Sequence, residues 1–216
     1  MRNRFDQQLE QLNVDMIEMG ALCEQVIDKT YNVMMEEDKV AAREIMEKDV
    51  EIDHKEQEIE SLCLKLLLQQ QPVARDLRVI SAALKMITDM ERIGDQAADI
   101  AEIVRTTNLK APTNDIPLGE MAVATIKMVK ESIDAYVKKD LELARKVIEY
   151  DDVVDDLFVK TRARLIDAVH NEKEDDASAM DLLMIAKYYE RIGDHATNVA
   201  EWVEFSITGE HRGEDK

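Results

Sequence analysis

Glycine, proline and aromatic residues are scarce in this chain of 216 residues, which has six glycines, three prolines and 4% aromatics. That scarcity leaves little material for turns and suits helices better than sheets. Cysteine occurs only at Cys23 and Cys63, each alone within a helical pattern. Neither a disulfide scaffold nor a thiolate metal site follows, and both read as buried free thiols. No run of about 18 uncharged apolar residues occurs, so no direct membrane insertion is expected. The opening MRNRFDQQLEQLNVDM has two arginines but no apolar segment behind them, so the expectation is a cytoplasmic protein. Basic residues are in deficit too: 28 Lys and Arg face 47 Asp and Glu, for a formal charge of -19. Such a surface repels phosphate backbones and excludes non-specific nucleic-acid binding.

What is abundant is aliphatic and charged, at 45% hydrophobic and 35% charged residues, a mix that suits long amphipathic helices. Pro72 follows LLLQQQ, and Pro112 and Pro117 bracket PTNDIP, each where an apolar 3.6 pattern stops. The pattern predicts helices over about 3–36, 38–70, 75–108, 117–138, 140–170 and 176–208. Asp38, Asp140 and Asp175 are placed to act as N-caps. One face of the third helix carries Val79, Met86, Met90, Ile93, Ala97, Ile100 and Val104; one face of the second carries Ile45, Ile52, Ile59, Leu62 and Leu66.

The chain also repeats itself. ERIGDQAADIAE at 91–102 returns as ERIGDHATNVAE at 190–201, with eight of twelve positions identical and a shift of 99. Upstream, DKVAAREIMEKDVEID at 38–53 aligns with DLELARKVIEYDDVVD at 140–155 at a shift of 102. Three residues are missing between the paired helices of the second copy, where a loop is expected to absorb them. The organisation is therefore all-α: two pseudo-symmetric antiparallel three-helix bundles, spanning 1–110 and 111–216.

The repeated words are rich in acids at helical spacing. Glu91, Asp95, Asp99 and Glu102 share one arc of roughly 80° on a helix, as do Glu190, Asp194, Asn198 and Glu201. Asp49 and Asp53, and their repeat partners Asp151 and Asp155, are further i, i+4 carboxylates near the edge of an apolar stripe. A lone D-x-x-x-D on a helix reads as a solvated face. Four carboxylate-bearing pairs at matching positions of two diverged copies point instead to a cation, because like charges a turn apart repel and neighbouring helices can converge their oxygens. Glu56 and Glu60, replaced by Phe158 and Arg162 in the second copy, read as surface. Gly94 and Gly193 sit mid-helix between the acids, where a neighbouring helix approaches closely or a cluster needs room. Arg92 and Arg191 read as salt-bridge partners, and His195 points away from the acid arc. No P-loop, G-x-S-x-G or H-E-x-x-H is present; metal-assisted hydrolysis at the carboxylates and a purely structural dimerisation module remain as alternatives.

QPVARDLR followed by MERIGDQAADIAE and then YYERIGDHATNVAE, in a tandem three-helix repeat, resembles the PhoU family of phosphate-signalling proteins. The resemblance covers nearly the whole chain. It implies a non-enzymatic cytoplasmic metal-binding regulator, homodimeric by our expectation, that acts between the ATPase subunit of a phosphate ABC transporter and a sensor histidine kinase. Such a regulator restrains phosphate uptake and keeps the phosphate-starvation response off. It also implies multinuclear iron or zinc clusters. The ligands carried over are Asp49, Asp53, Glu91, Asp95 and Asp99 in the first copy and Asp151, Asp155, Glu190, Asp194 and Asn198 in the second. Asn198 departs from Asp99, and the basic pair of RDLR at 75–78 has no counterpart near Ala177, so the two sites need not be equivalent.

Overall fold

Aspartates start three of the helices. In a computed structural model that describes residues 2–70, 72–107, 116–171 and 175–210, Asp38 accepts from the amides of Val40 and Ala41 at 2.9 and 3.0 Å. Asp140 accepts from Leu143 at 3.0 Å and Asp175 from Ser178 at 2.9 Å, each satisfying an amide that the helix itself leaves open. The elements are α1 (Arg2–Glu36), α2 (Lys39–Gln70), α3 (Ala74–Thr106), α4 (Leu118–Lys138), α5 (Leu141–His170) and α6 (Asp176–Thr208), with no strand among the described residues. Pro112 and residue 108 of the sequence prediction lie outside the described residues.

The connections from α1 to α2 and from α4 to α5 are the same tight turn. Glu37 and Lys139 are left-handed, at φ 54° and 52°, and the following amides of Asp38 and Asp140 reach back to the carbonyls of Val33 and Ala135. So short a link forces antiparallel neighbours. At the two register shifts the three residues without a counterpart are 71–73, which lie between the end of α2 at Gln70 and the start of α3 at Ala74, so the length change falls in the connection as expected.

Each repeat packs its own three helices together, and the two repeats join through α3 against α6 and α1 against α4. The α2 and α5 helices lie on the outer sides, and one continuous apolar core runs through both repeats. The predicted stripes fill it: Ile45, Ile52, Ile59 and Leu66 of α2 and Met86 to Val104 of α3 are buried, while Leu62 and Val79 are half-buried. Polar groups inside the two repeats are paired symmetrically. Cys23 of α1 donates its thiol to the Met90 carbonyl at 3.3 Å, and its repeat counterpart Thr125 donates to the Tyr189 carbonyl at 3.4 Å. Tyr189, fully buried, donates its hydroxyl to Thr30 at 2.9 Å, tying α6 to α1. Both cysteines are buried free thiols, as expected.

Gly94 and Gly193 mark where α2 meets α3 and α5 meets α6. A Cβ at Gly94 would lie 2.7 Å from Oδ1 of Asp49 and 2.9 Å from Cδ1 of Ile52, whereas at Gly193 the nearest atom, Cγ1 of Val154, is 3.3 Å away. Overpacking costs about 1–3 kcal/mol and removing a mid-helix glycine returns about 1. Gly94→Ala is therefore expected to melt below wild type and Gly193→Ala at or near it, an order that thermal denaturation followed at 222 nm checks.

Candidate metal centre

The same close approach sets the acids. Ile52 is buried in the α2 stripe against α3, and the residues three before and one after it, Asp49 and Asp53, are carried to the edge of that contact. Across from them, α3 presents Asp95. One oxygen from each of Asp49, Asp53 and Asp95 lies within 4.8 Å of the others. At that spacing two full charges near a protein surface repel by about 3–4 kcal/mol. Among the described residues Oδ1 of Asp49 is buried without a hydrogen-bond partner, and Gly94 opposite it leaves no side chain to fill the space.

Burial and then the charges of Asp95, Asp53, Glu91 and Asp99 push the Asp49 carboxyl up to about 7. Glu91 rises for the same reasons, through burial, Asp95, Asp53 and Glu56. Asp95 rises through burial and Asp53, with Arg92 and His195 opposing. Asp99 rises through burial, Asp95 and Glu102, against Arg191 and the hydroxyl of Tyr188. In all four groups desolvation is the largest cause of the rise, and a neighbouring carboxylate is the next. Three half-buried to exposed carboxylates with an orphaned oxygen and no thiolate or imidazole form a donor set that fits a hard or borderline cation.

Several residues stand elsewhere than the sequence reading placed them. Glu56 is half-buried and adds its charge to Glu91, so it belongs to the acidic surroundings rather than to the open surface. Arg92 and Arg191 are exposed and form no ion pair within 4 Å among the described residues; they act on Glu91, Asp95 and Asp99 only at longer range. Asn198 gives its amide to Asp89 at 3.0 Å, in the join of α3 with α6, beside the 2.9 Å contact of His195 Nδ1 with the same carboxylate. Asp89 is buried and was not singled out by any motif. In repeat register Asp89 corresponds to Tyr188 and Asn198 to Asp99, and Tyr188 sits beside Asp99. One carboxylate thus occupies each of two symmetry-related contacts. An aspartate at 198 would have faced Asp89, so the departure from Asp99 is a requirement of the join.

The second arc is chemically different. Burial, then Asp194 and Asp155, push Asp151 up to about 6. Asp194 and Asp155 also rise by burial, but both are opposed by Lys187. Lys187 makes a short contact to Glu190 and lies 5.4 Å above the ring of Phe158. Its counterpart in the first copy is Thr88, and the counterpart of Phe158 is Glu56. The second copy has therefore exchanged an acid for a ring and gained an ammonium. Among the described residues its carboxylates do not gather as Asp49, Asp53 and Asp95 do.

Known proteins match the chain along both of its repeats. The family model described as PhoU domain matches residues 16–104 and again 118–203, one match in each repeat. A curated protein of Clostridium acetobutylicum named phosphate-specific transport system accessory protein PhoU homolog is 35% identical over 210 residues, covering 96% of each chain. One of the same name from Zymomonas mobilis is 36% identical, covering 97% of this chain and 89% of its own. The crystal structure of PhoU from Pseudomonas aeruginosa superposes with a TM-score of 0.90 at 29% identity, over 95% of this chain and all of that one. That of the phosphate transport system regulatory protein PhoU from Streptococcus pneumoniae gives 0.87 at 25% identity, over 96% and 98%.

Carboxyls raised on folding bind protons more tightly in the native state, so they favour it below their unfolded values, and that contribution is lost as pH rises through the folded ones. For Asp49, whose carboxyl is raised from 3.8 to about 7, the window is between those values. In chelator, melting temperature should fall from pH 5 to pH 8, and Asp49→Asn should flatten the fall and melt above wild type at pH 8. Equal slopes for the two proteins would show that Asp49 does not carry the strain. At pH 8 without metal, Lys187→Thr should destabilise and Thr88→Lys should stabilise, since each moves a cation out of or into an acidic arc; melts of both variants check the sign.

Proposed function

This chain belongs to the PhoU family, and on that premise we propose that it is a metal-responsive accessory protein of a phosphate transport system, acting in the cytoplasm as a negative regulator. In this reading it contacts the ATPase subunit of a phosphate ABC transporter and a sensor histidine kinase, as a homodimer, and holds uptake and the phosphate-starvation response down when phosphate is plentiful. Relatives over the full length carry names for an accessory protein of phosphate-specific transport, which supports this role over a catalytic one. No helix of the described residues is long and apolar enough to cross a membrane, in keeping with a partner that docks on a transporter.

The observation that carries the metal part is the convergence of Asp49, Asp53 and Asp95 around the unpartnered Oδ1 of Asp49. These three residues would hold an iron or zinc ion, with Glu91 and Asp99 on the same helix as Asp95 available to a second one. The bound cation would supply positive charge where the fold has desolvated negative charge, and it would lock α2 to α3. Asp151, Asp155, Glu190 and Asp194 would form a weaker site, since Lys187 already meets part of its charge.

Metal at about a hundred times its dissociation constant should stabilise the protein by about 3 kcal/mol. Asp49→Asn with Asp95→Asn should remove most of that gain and lower metal content by one site. Thr88→Lys, which deletes no carboxylate, should also lower it. Elemental analysis with paired melts reads both effects; a wild type that takes up no iron or zinc would end the metal reading. The regulatory part is tested separately. The chain should co-purify with the transporter ATPase and the kinase, and its deletion should raise a starvation reporter in phosphate-replete cells. Turnover of phosphoesters by the metal-loaded protein, lost in Asp95→Ala, would favour a hydrolase instead.

A further inference from the structure

At the end of the molecule where α3 begins and α4 and α6 finish, a groove of about 820 Å³ opens between these helices and the first turns of α1. Its floor is apolar, with Leu12, Val79 and Val203 among its lining residues. Arg75, Arg78 and Lys139 stand around it. In a chain of charge -19 these cations would be expected to find carboxylates, yet none of the three makes an ion pair or a side-chain hydrogen bond among the described residues. The Nε of Arg78 is moreover buried and has no hydrogen-bond partner among the described residues. Burying such a donor is costly unless something accepts from it.

The cluster is particular to this end. Arg78 corresponds to Ala177 in the second repeat. Lys139 corresponds to Glu37, which occupies the same left-handed turn at φ 54° against 52°. Charge is thus reversed at an equivalent backbone position. Gly209 at the end of α6 makes room for the Arg78 guanidinium: a Cβ there would collide with Nη1, and φ is +82°. The groove also has Glu10 and Asp76 on its border, which leaves a small net positive charge. Helix α3 starts at Val73 without a side-chain cap, unlike α5 and α6.

We propose that this groove binds an organic phosphate carrying a single phosphate group, whose anion is held by Arg75, Arg78 and Lys139 and whose apolar or aromatic body lies on the floor. Paired arginines suit phosphate oxygens because their fixed forks donate two parallel bonds. The small net charge disfavours polyphosphates. A volume of about 820 Å³ has space for far more than an inorganic anion. The site is separate from the carboxylate cluster and does not rest on it.

The test uses the full chain in chelator, so that a failure leaves the metal reading untouched. Isothermal titration compares adenosine 5′-monophosphate, inorganic phosphate and adenosine as probes. The monophosphate should bind saturably, inorganic phosphate at least about tenfold more weakly, and adenosine not measurably. Arg75→Gln with Arg78→Gln should weaken the monophosphate by about tenfold or more, and Lys139→Glu, which installs the residue of the other repeat, should do likewise. Lys146→Gln, on the exposed face of α5, should change nothing. Circular dichroism confirms that each variant is folded. Absence of saturable binding, inorganic phosphate binding as tightly as the monophosphate, or folded arginine variants that bind like wild type would each overturn the proposal.

Discussion

The close approach of α2 to α3 at Gly94 is the constraint from which the candidate centre follows. Burying the stripe of Ile45, Ile52, Ile59 and Leu66 is strongly favourable, each large aliphatic side chain contributing on the order of 1.5–3 kcal/mol. Asp49 and Asp53 flank that stripe and have no freedom to refuse it. The hydrophobic contact therefore drags carboxylates toward Asp95, and the penalty is held in raised carboxyl groups and an unpartnered oxygen. Glycine at 94 is what permits the approach, since any Cβ there would strike both the carboxylate and Ile52.

Two copies of one structural unit have met the same penalty differently. The first keeps Glu56, Thr88 and the full set of aspartates, and its Asp49 is raised the furthest. The second carries Phe158 and Lys187 at the corresponding positions, and Lys187 opposes the rise at Asp194 and Asp155. An ammonium fixed within hydrogen-bonding range of Glu190 is an internal counter-ion, present whatever the metal supply. One repeat thus carries a compensating ammonium in its own sequence, while the other has a threonine at the corresponding position.

The join of α3 with α6 explains a further difference between the copies. Related positions must meet across a pseudo-two-fold axis, so a carboxylate on one side needs a neutral or donating partner on the other. Asp89 with Asn198 and His195, and Asp99 beside Tyr188, are the two solutions. Divergence at these positions keeps two acidic helices in contact at the centre of the molecule.

Helix number, helix limits, caps and repeat register were legible in the sequence because they rest on local physics. Apolar spacing, aspartate capping and proline each act over a few residues, and Asp38, Asp140 and Asp175 cap as the pattern predicts. The i, i+4 acids were legible for the same reason, as was the need for small residues at 94 and 193. What only the tertiary structure decided is which acids meet. Glu56 and Lys187 reach the acidic arcs from a helix turn away, Asn198 turns to Asp89 on the other repeat, and Arg92 makes no close salt bridge among the described residues. Such pairings depend on the rotation and separation of whole helices, set by the sum of apolar burial over both repeats. Charge read along one helix carries no record of what the neighbouring helix brings to face it.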